Sequence, residues 1–183
     1  MKKQLTLPVL KKQLATMDKE ELIQLIAQIY KTSADGHLTV DEIFLGEKIW
    51  EPALAEYQEK LTKIFYQKSF TPRLKLPDMK QANQLLKEFQ KVCHVPELVM
   101  ALQVHYLEVA TQYTFDLGDI PLAYYNRLYT IFKDAVTLMA KDESGKLEKL
   151  FFSRLKKLYQ RSQGIGWGYG ADLEYSFGYL FDA

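Results

Sequence analysis

The stretch Pro96-Glu-Leu-Val-Met-Ala-Leu-Gln-Val-His-Tyr-Leu-Glu-Val-Ala-Thr-Gln-Tyr113 decides the fold. A proline at its head costs least in the first turn of a helix, and Leu98, Leu102, Tyr106, Val109 and Tyr113 then recur at steps of three or four, the period of one helical face. Asp116-Leu-Gly-Asp119 turns the chain, and from Pro121 the period resumes through Tyr125, Leu128, Phe132, Ala135 and Met139. Upstream, Ala82, Leu85, Leu86 and Phe89 form a similar face. Downstream, past a turn at Asp142 to Gly145, Leu147, Leu150, Phe151, Leu155 and Leu158 do the same, followed by Leu173, Phe177, Leu180 and Phe181. Strand signals are nearly absent, so the spacing predicts an all-α chain of about eight or nine helices joined as antiparallel hairpins. Leu85-x-x-x-Phe89 returns as Leu128-x-x-x-Phe132 and Leu173-x-x-x-Phe177, at offsets of 43 and 45, and Asn83 and Asn126 share the first offset. That pitch matches one hairpin of a HEAT/TPR-like stack. The same apolar pairs arise in any amphipathic helix, so an irregular bundle, the preferred form, and a short stack both stay open.

Toward the N-terminus, Leu7, Leu10 and Leu14 flank Pro8, and Asp18 with Glu21 forms a capping box ahead of Leu22, Ile23, Ile26, Ile29 and Tyr30. Asp35-Gly36 reads as a turn, and Thr39 with Glu42 as a second capping box. After a break at Glu51-Pro52, Leu54, Tyr57, Leu61, Ile64 and Phe65 keep helical spacing. Residues 69–76 have no period and are read as a linker joining an N-terminal helical part, 1–68, to C-terminal hairpins, 77–183. Both are expected to belong to one domain, 1–183, because about seventy residues of short helices make a marginal core.

The 183 residues carry 24 basic and 23 acidic side chains, a net charge of +1, which argues against a nucleic-acid partner on electrostatic grounds. A lone cysteine, Cys93, forbids an internal disulfide and suits a reducing cytoplasm. No apolar run is long enough for a signal sequence or a membrane span, so no membrane partner is expected. Aromatic residues number 24, half of them tyrosine. Nine of the twelve tyrosines lie beyond residue 100, where their hydroxyls need partners if buried.

The segments Met17-Asp-Lys-Glu-Glu-Leu-Ile, Thr71-Pro-Arg-Leu, Phe115-Asp-Leu-Gly-Asp-Ile and Gly164-Ile-Gly-Trp-Gly resemble an uncharacterised bacterial family catalogued only as a domain of unknown function. The similarity runs over nearly the whole chain, and the Gly-Asp-Ile and Gly-Trp-Gly turns are its most specific parts. No activity, substrate or functional residue comes with the resemblance. It implies a stand-alone, intracellular bacterial protein.

Two constellations are candidate sites. The first is an acidic and tyrosine-rich cluster. Residues 97–126 hold Glu97, Glu108, Asp116 and Asp119 but no lysine or arginine, and Tyr106, Tyr113, Tyr124, Tyr125 and Tyr129 fall among or just after them. Tyr106, Glu108, Asp119, Tyr125 and Arg127 form either a cleft for a small ligand or a buried hydrogen-bond network, the network being preferred. Arg127 is the expected partner of Glu108 or Asp119. The second candidate is an anion site at Gly164-Ile-Gly-Trp-Gly-Tyr-Gly170. There Arg161, Gly164, Gly166, Trp167 and Gly168 would offer backbone N–H groups and a cation beside a segment, 146–161, of six bases and one acid. No strand precedes these glycines and no Gly-Lys-Ser comes after them, so the stronger reading is a turn with Trp167 plugged into the core.

His105 with Glu108, and His94 with Glu97, have the i, i+3 spacing of metal ligands, but neither pair has further ligands and no metal site is expected. Cys93 beside His94 is not a catalytic pair, and no Gly-x-Ser-x-Gly elbow is present. The sequence therefore favours a non-enzymatic protein–protein interaction module without cofactors. A small-ligand or anion-binding protein, or an enzyme with an acidic and tyrosine-lined cleft, is the alternative. The expected partner is another protein or peptide; Tyr175, Phe177, Tyr179, Leu180 and Phe181 around the last helix fit self-association and burial within the monomer equally well.

Overall fold

The computed structural model describes residues 5–66, 76–118 and 120–181, without the side chains of 179–181. The fold is all-α. Nine α-helices are present among the described residues: α1 Leu7–Leu14, α2 Lys19–Thr32, α3 Ala34–Leu45, α4 Trp50–Phe65, α5 Met79–Val92, α6 Pro96–Leu117, α7 Leu122–Ala140, α8 Lys146–Arg161 and α9 Tyr169–Phe181. None of these helices is long and apolar enough to cross a membrane.

The chain divides into two compact units, between Ile49 and Trp50. The division expected from sequence falls at 69–76, a segment that, Leu76 apart, lies outside the described residues. Helix α4 belongs with α5 and α6 because Trp50, Tyr57, Leu61 and Phe65 are buried, with Phe89 meeting Trp50 edge-on and Phe65 meeting Tyr106.

The first unit, α1 to α3, contains no buried residue among those described. Asp18 caps α2 as predicted: its carboxylate accepts from Glu21 N–H at 2.8 Å, and Glu21 accepts from Asp18 N–H at 3.0 Å. The expected turn at Asp35-Gly36 and the Thr39 capping box are not formed. Ser33 caps α3 instead by accepting from Gly36 N–H, and Thr39 donates back to the Asp35 carbonyl inside the helix. Glycine at 36 serves packing, since a Cβ there would sit 2.5 Å from Ile29 Cγ2. Tyr30 stacks on His37 at 4.3 Å, and both bind the Asp41 carboxylate, tying α2 to α3. Ile23, Ile26, Ile43 and Phe44 remain exposed.

The second unit is a bundle built as a short stack of hairpins. Helix α4 packs on α5, α6 on α7 and α8 on α9, while α4 also packs on α6, α6 on α8 and α7 on α9. The lateral contacts fix direction. Along α6 and α8 the pairs Glu97–Lys146, Glu108–Arg154 and Gln112–Arg161 advance together, so the helices run parallel. Tyr125–Tyr169 and then Tyr129–Ser176 show the same for α7 and α9. The repeat seen in the sequence marks the second helix of each hairpin: Phe89, Phe132 and Phe177 are all buried at equivalent places. Helix α6, with α4, α5, α7 and α8 around it, buries ten residues over its circumference, as a central helix must.

Turn chemistry links the second hairpin to the third between α7 and α8. Asp142 accepts from Ser144 N–H and Oγ–H and from Leu147 N–H, which holds its carboxyl below the usual range, and Gly145 supplies a left-handed residue. Leu150, expected in the core, is exposed; α8 buries only the narrower stripe Leu147, Phe151, Leu155 and Leu158.

Candidate functional site

Four of the tyrosines of the first candidate, Tyr106, Tyr113, Tyr124 and Tyr125, are buried and Tyr129 is half-buried. Tyr106 is fully buried and donates to Asn83 Oδ1 at 3.1 Å, across to α5. Tyr124 donates to the Ala110 carbonyl at 2.7 Å, and Tyr169 lies 3.5 Å from Thr111 Oγ1. Tyr125 is wedged between the Tyr124 and Tyr169 rings. Burial pushes the phenols of Tyr106, Tyr124 and Tyr169 far above their ordinary range, so they stay protonated. Tyr106, Tyr124 and Tyr125 are thus buried among hydrogen bonds and ring contacts, with Tyr106 and Glu108 engaging separate partners, Asn83 and Arg154. Asp119 lies outside the described residues. Arg127 is exposed on α7, close enough to Tyr106 to oppose the rise in its pKa, and is not the partner of Glu108.

Glu108 instead receives Arg154 of α8 in a two-pronged pair, Nε at 2.9 Å and Nη2 at 2.6 Å. Parallel stacking of α6 and α8 brings residues 46 apart side by side, which local charge counting cannot reveal. His105, three residues before Glu108, turns the other way, its Nε2 3.0 Å from Thr62 Oγ1 and 3.1 Å from the Gln58 carbonyl on α4. Burial lowers its pKa, against the raising influence of the Gln58 carbonyl. The two side chains thus engage different neighbours and do not converge on a metal. Among the described residues no group of three or more His, Cys, Asp or Glu does so. Cys93 is a small buried residue at the end of α5.

The glycine turn and Arg161 do not come together. Gly164 and Gly168 are left-handed, as a helix end and turn require, and Trp167 shares that conformation at φ 64°. Trp167 is not in the core as expected: it is 57% exposed, pinned by Nε1–H donation to the Ile120 carbonyl at 3.0 Å. Arg161 reaches away along α6, donating to Gln112 Oε1 at 2.8 Å with its guanidinium over the Phe115 ring at 5.8 Å.

What the sequence did not expose is the space this leaves. Between α6 and α8 lies a groove of about 420 Å³ lined by Glu108, Thr111, Arg154, Lys157, Leu158 and Arg161. Arg161 was the one lining residue placed in an anion site from sequence, and Glu108 the one placed in a cleft. A chain of bonds braces the groove's edge: Tyr66 donates to Asp116, Gln112 donates to Asp116 at 3.1 Å, and Gln112 accepts from Arg161. Phe115 stands beside it, 48% exposed. A cationic wall with an apolar floor can hold an acidic group without performing chemistry on it.

No family model, no curated protein and no solved structure matches the chain.

Proposed function

We propose that the protein is a non-enzymatic interaction module of the bacterial cytoplasm, of the uncharacterised family it resembles, that binds another polypeptide on the face formed by α4, α6 and α8. The observation carrying this reading is the braced groove between α6 and α8, with Phe115 exposed at its edge. Exposed aromatic and arginine side chains are the usual anchors of protein interfaces. The tyrosine hydroxyls that would serve an enzyme are committed to Asn83, the Ala110 carbonyl and Thr111. A photo-reactive phenylalanine analogue at position 115 tests the reading in cells that make the protein. It is expected to capture a discrete polypeptide, while the same group at Lys133, exposed on α7, captures none. Equal labelling at both positions, or none at either, would sink the proposal.

A further inference from the structure

We propose that the groove between α6 and α8 selects an acidic, extended peptide, seating an Asp or Glu carboxylate between Lys157 and Arg161 and an apolar side chain against Phe115 and Leu158. This deepens the interaction-module reading and rests on it.

The charge count of the groove sets the occupant's sign. Its lining holds three cations, Arg154, Lys157 and Arg161, against one acid, Glu108. Arg154 is matched by Glu108 in the two-pronged pair and is spent. Lys157 makes no ion pair among the described residues, and Arg161 meets only a neutral amide and an aromatic ring. Two positive charges, one helical turn apart on the same side of α8, therefore remain over a floor of Leu158 and Thr111.

Arg161 is also held in place. Gln112 takes one of its five N–H donors, and Gln112 is itself fixed by Asp116, which Tyr66 fixes in turn. The rest of the guanidinium faces outward in a set orientation, so a carboxylate can take a paired hydrogen bond without first ordering the side chain. Phe115, stacked under that guanidinium, supplies apolar area at the same point.

The distribution of charge favours a peptide over a nucleic-acid backbone. In the groove's lining the unmatched cations lie on α8, while α6 presents Glu108 and, beside the lining, Asp116 on the opposite bank. A polyphosphate chain needs a continuous basic track, whereas a peptide alternating acidic and apolar residues matches one basic bank with an apolar floor.

The test uses the full chain and fluorescence anisotropy with a short fluorescein-labelled peptide alternating Glu with Leu and Phe. Controls carry Gln or Lys in place of Glu, and a single-stranded RNA of equal charge serves as competitor. The acidic peptide is expected to bind at least about tenfold more tightly than the Gln peptide, and to weaken between about 50 and 200 mM salt. Lys157→Glu should weaken binding by about tenfold, Glu108→Gln, which frees Arg154, should strengthen it, and Lys133→Glu should change nothing. Equal binding of the Gln peptide, indifference to Lys157→Glu, or tighter binding of the RNA would overturn the assignment. If capture at position 115 persists while the acidic peptide fails, only the partner's chemistry is wrong; if both fail, the interaction module itself falls.

Discussion

Replacing Gly170 with alanine separates two forces that act in opposite directions. Gly170 sits in the first turn of α9, where alanine would stabilise the helix by about 1 kcal/mol on propensity alone. A Cβ at that position, however, would lie 2.4 Å from the Ser162 carbonyl oxygen, 2.7 Å from its carbon and 2.9 Å from Gln163 Cα. All three are backbone atoms at the end of α8, and Ser162 is fully buried with its hydroxyl donating to Leu158 O, so no flexible group can swing aside. Relief requires α9 to withdraw by about 1 Å, which loosens Tyr169 from Thr111 and Tyr125. Overpacking of this kind costs about 3 kcal/mol, leaving a net loss near 2 kcal/mol after the propensity gain. In a domain of this size that lowers Tm by about 4–8 °C. Urea unfolding monitored by far-ultraviolet circular dichroism measures it, with Gly164→Ala as a comparator. At Gly164 nothing lies within 4 Å, and the left-handed backbone alone should cost about 1 kcal/mol. A Gly170→Ala protein as stable as the parent, or more so, would refute the close approach of α8 and α9.

The polar contacts give further expected outcomes. Tyr106→Phe should cost about 1 kcal/mol, since it strips Asn83 Oδ1 of its donor when Asn83 Nδ2 already lacks a partner; adding Asn83→Leu should restore most of the loss, and an additive double mutant would contradict the pairing. His105 has a folded-state pKa below its unfolded value, so its contribution is complete above about pH 6.5 and is lost as pH falls through that value toward the lowered one. Urea midpoints of the parent should therefore drop from pH 7.5 to 5.5 more steeply than those of His105→Asn, and parallel profiles would remove His105 from the acid response. Glu108→Gln should cost no more than about 1 kcal/mol, because both members of its pair with Arg154 are more than a third exposed; a larger loss in thermal melting would mean the pair is a stability element and not a groove wall.

The helices were legible because their signals are local: capping by Asp18, prolines in first turns, and three-four spacing of apolar residues. The misreadings came where a tertiary contact outweighed a local one. Asp35-Gly36 looks like a turn, yet the glycine is demanded by Ile29 of the neighbouring helix. The absence of lysine and arginine over 97–126 looked like an acidic patch around a site; it reflects the burial of α6 on several sides, which leaves few positions where a charge reaches water. The groove was the least legible feature. Glu108 was placed in a cleft, and Arg154, Lys157 and Arg161 among the bases beside the glycine turn, because the groove's two walls are 46 to 49 residues apart and meet only through the parallel register of the stack.

That register also resolves the two roles of the basic helix. A stack of hairpins exposes the outer side of its last member, and a polar outer face there keeps further copies from adding on. Helix α8 buries a single stripe, and its exposed positions include Lys149, Lys156, Lys157 and Arg161. Lys156 lies over the Phe152 ring, within its own helix, and Lys149 lies outside the groove lining; these are cations of a cap. Lys157 and Arg161 differ because they face α6 across a space that α6's own side chains do not fill. The six bases read from sequence as one charged surface are thus divided by helical phase into those that end the stack, those matched by Glu97 and Glu108, and the pair left over the groove. Only that pair joins positive charge, a fixed guanidinium and an exposed aromatic ring in one place, and for that reason the partner's chemistry is argued from two residues and not from the basicity of the helix.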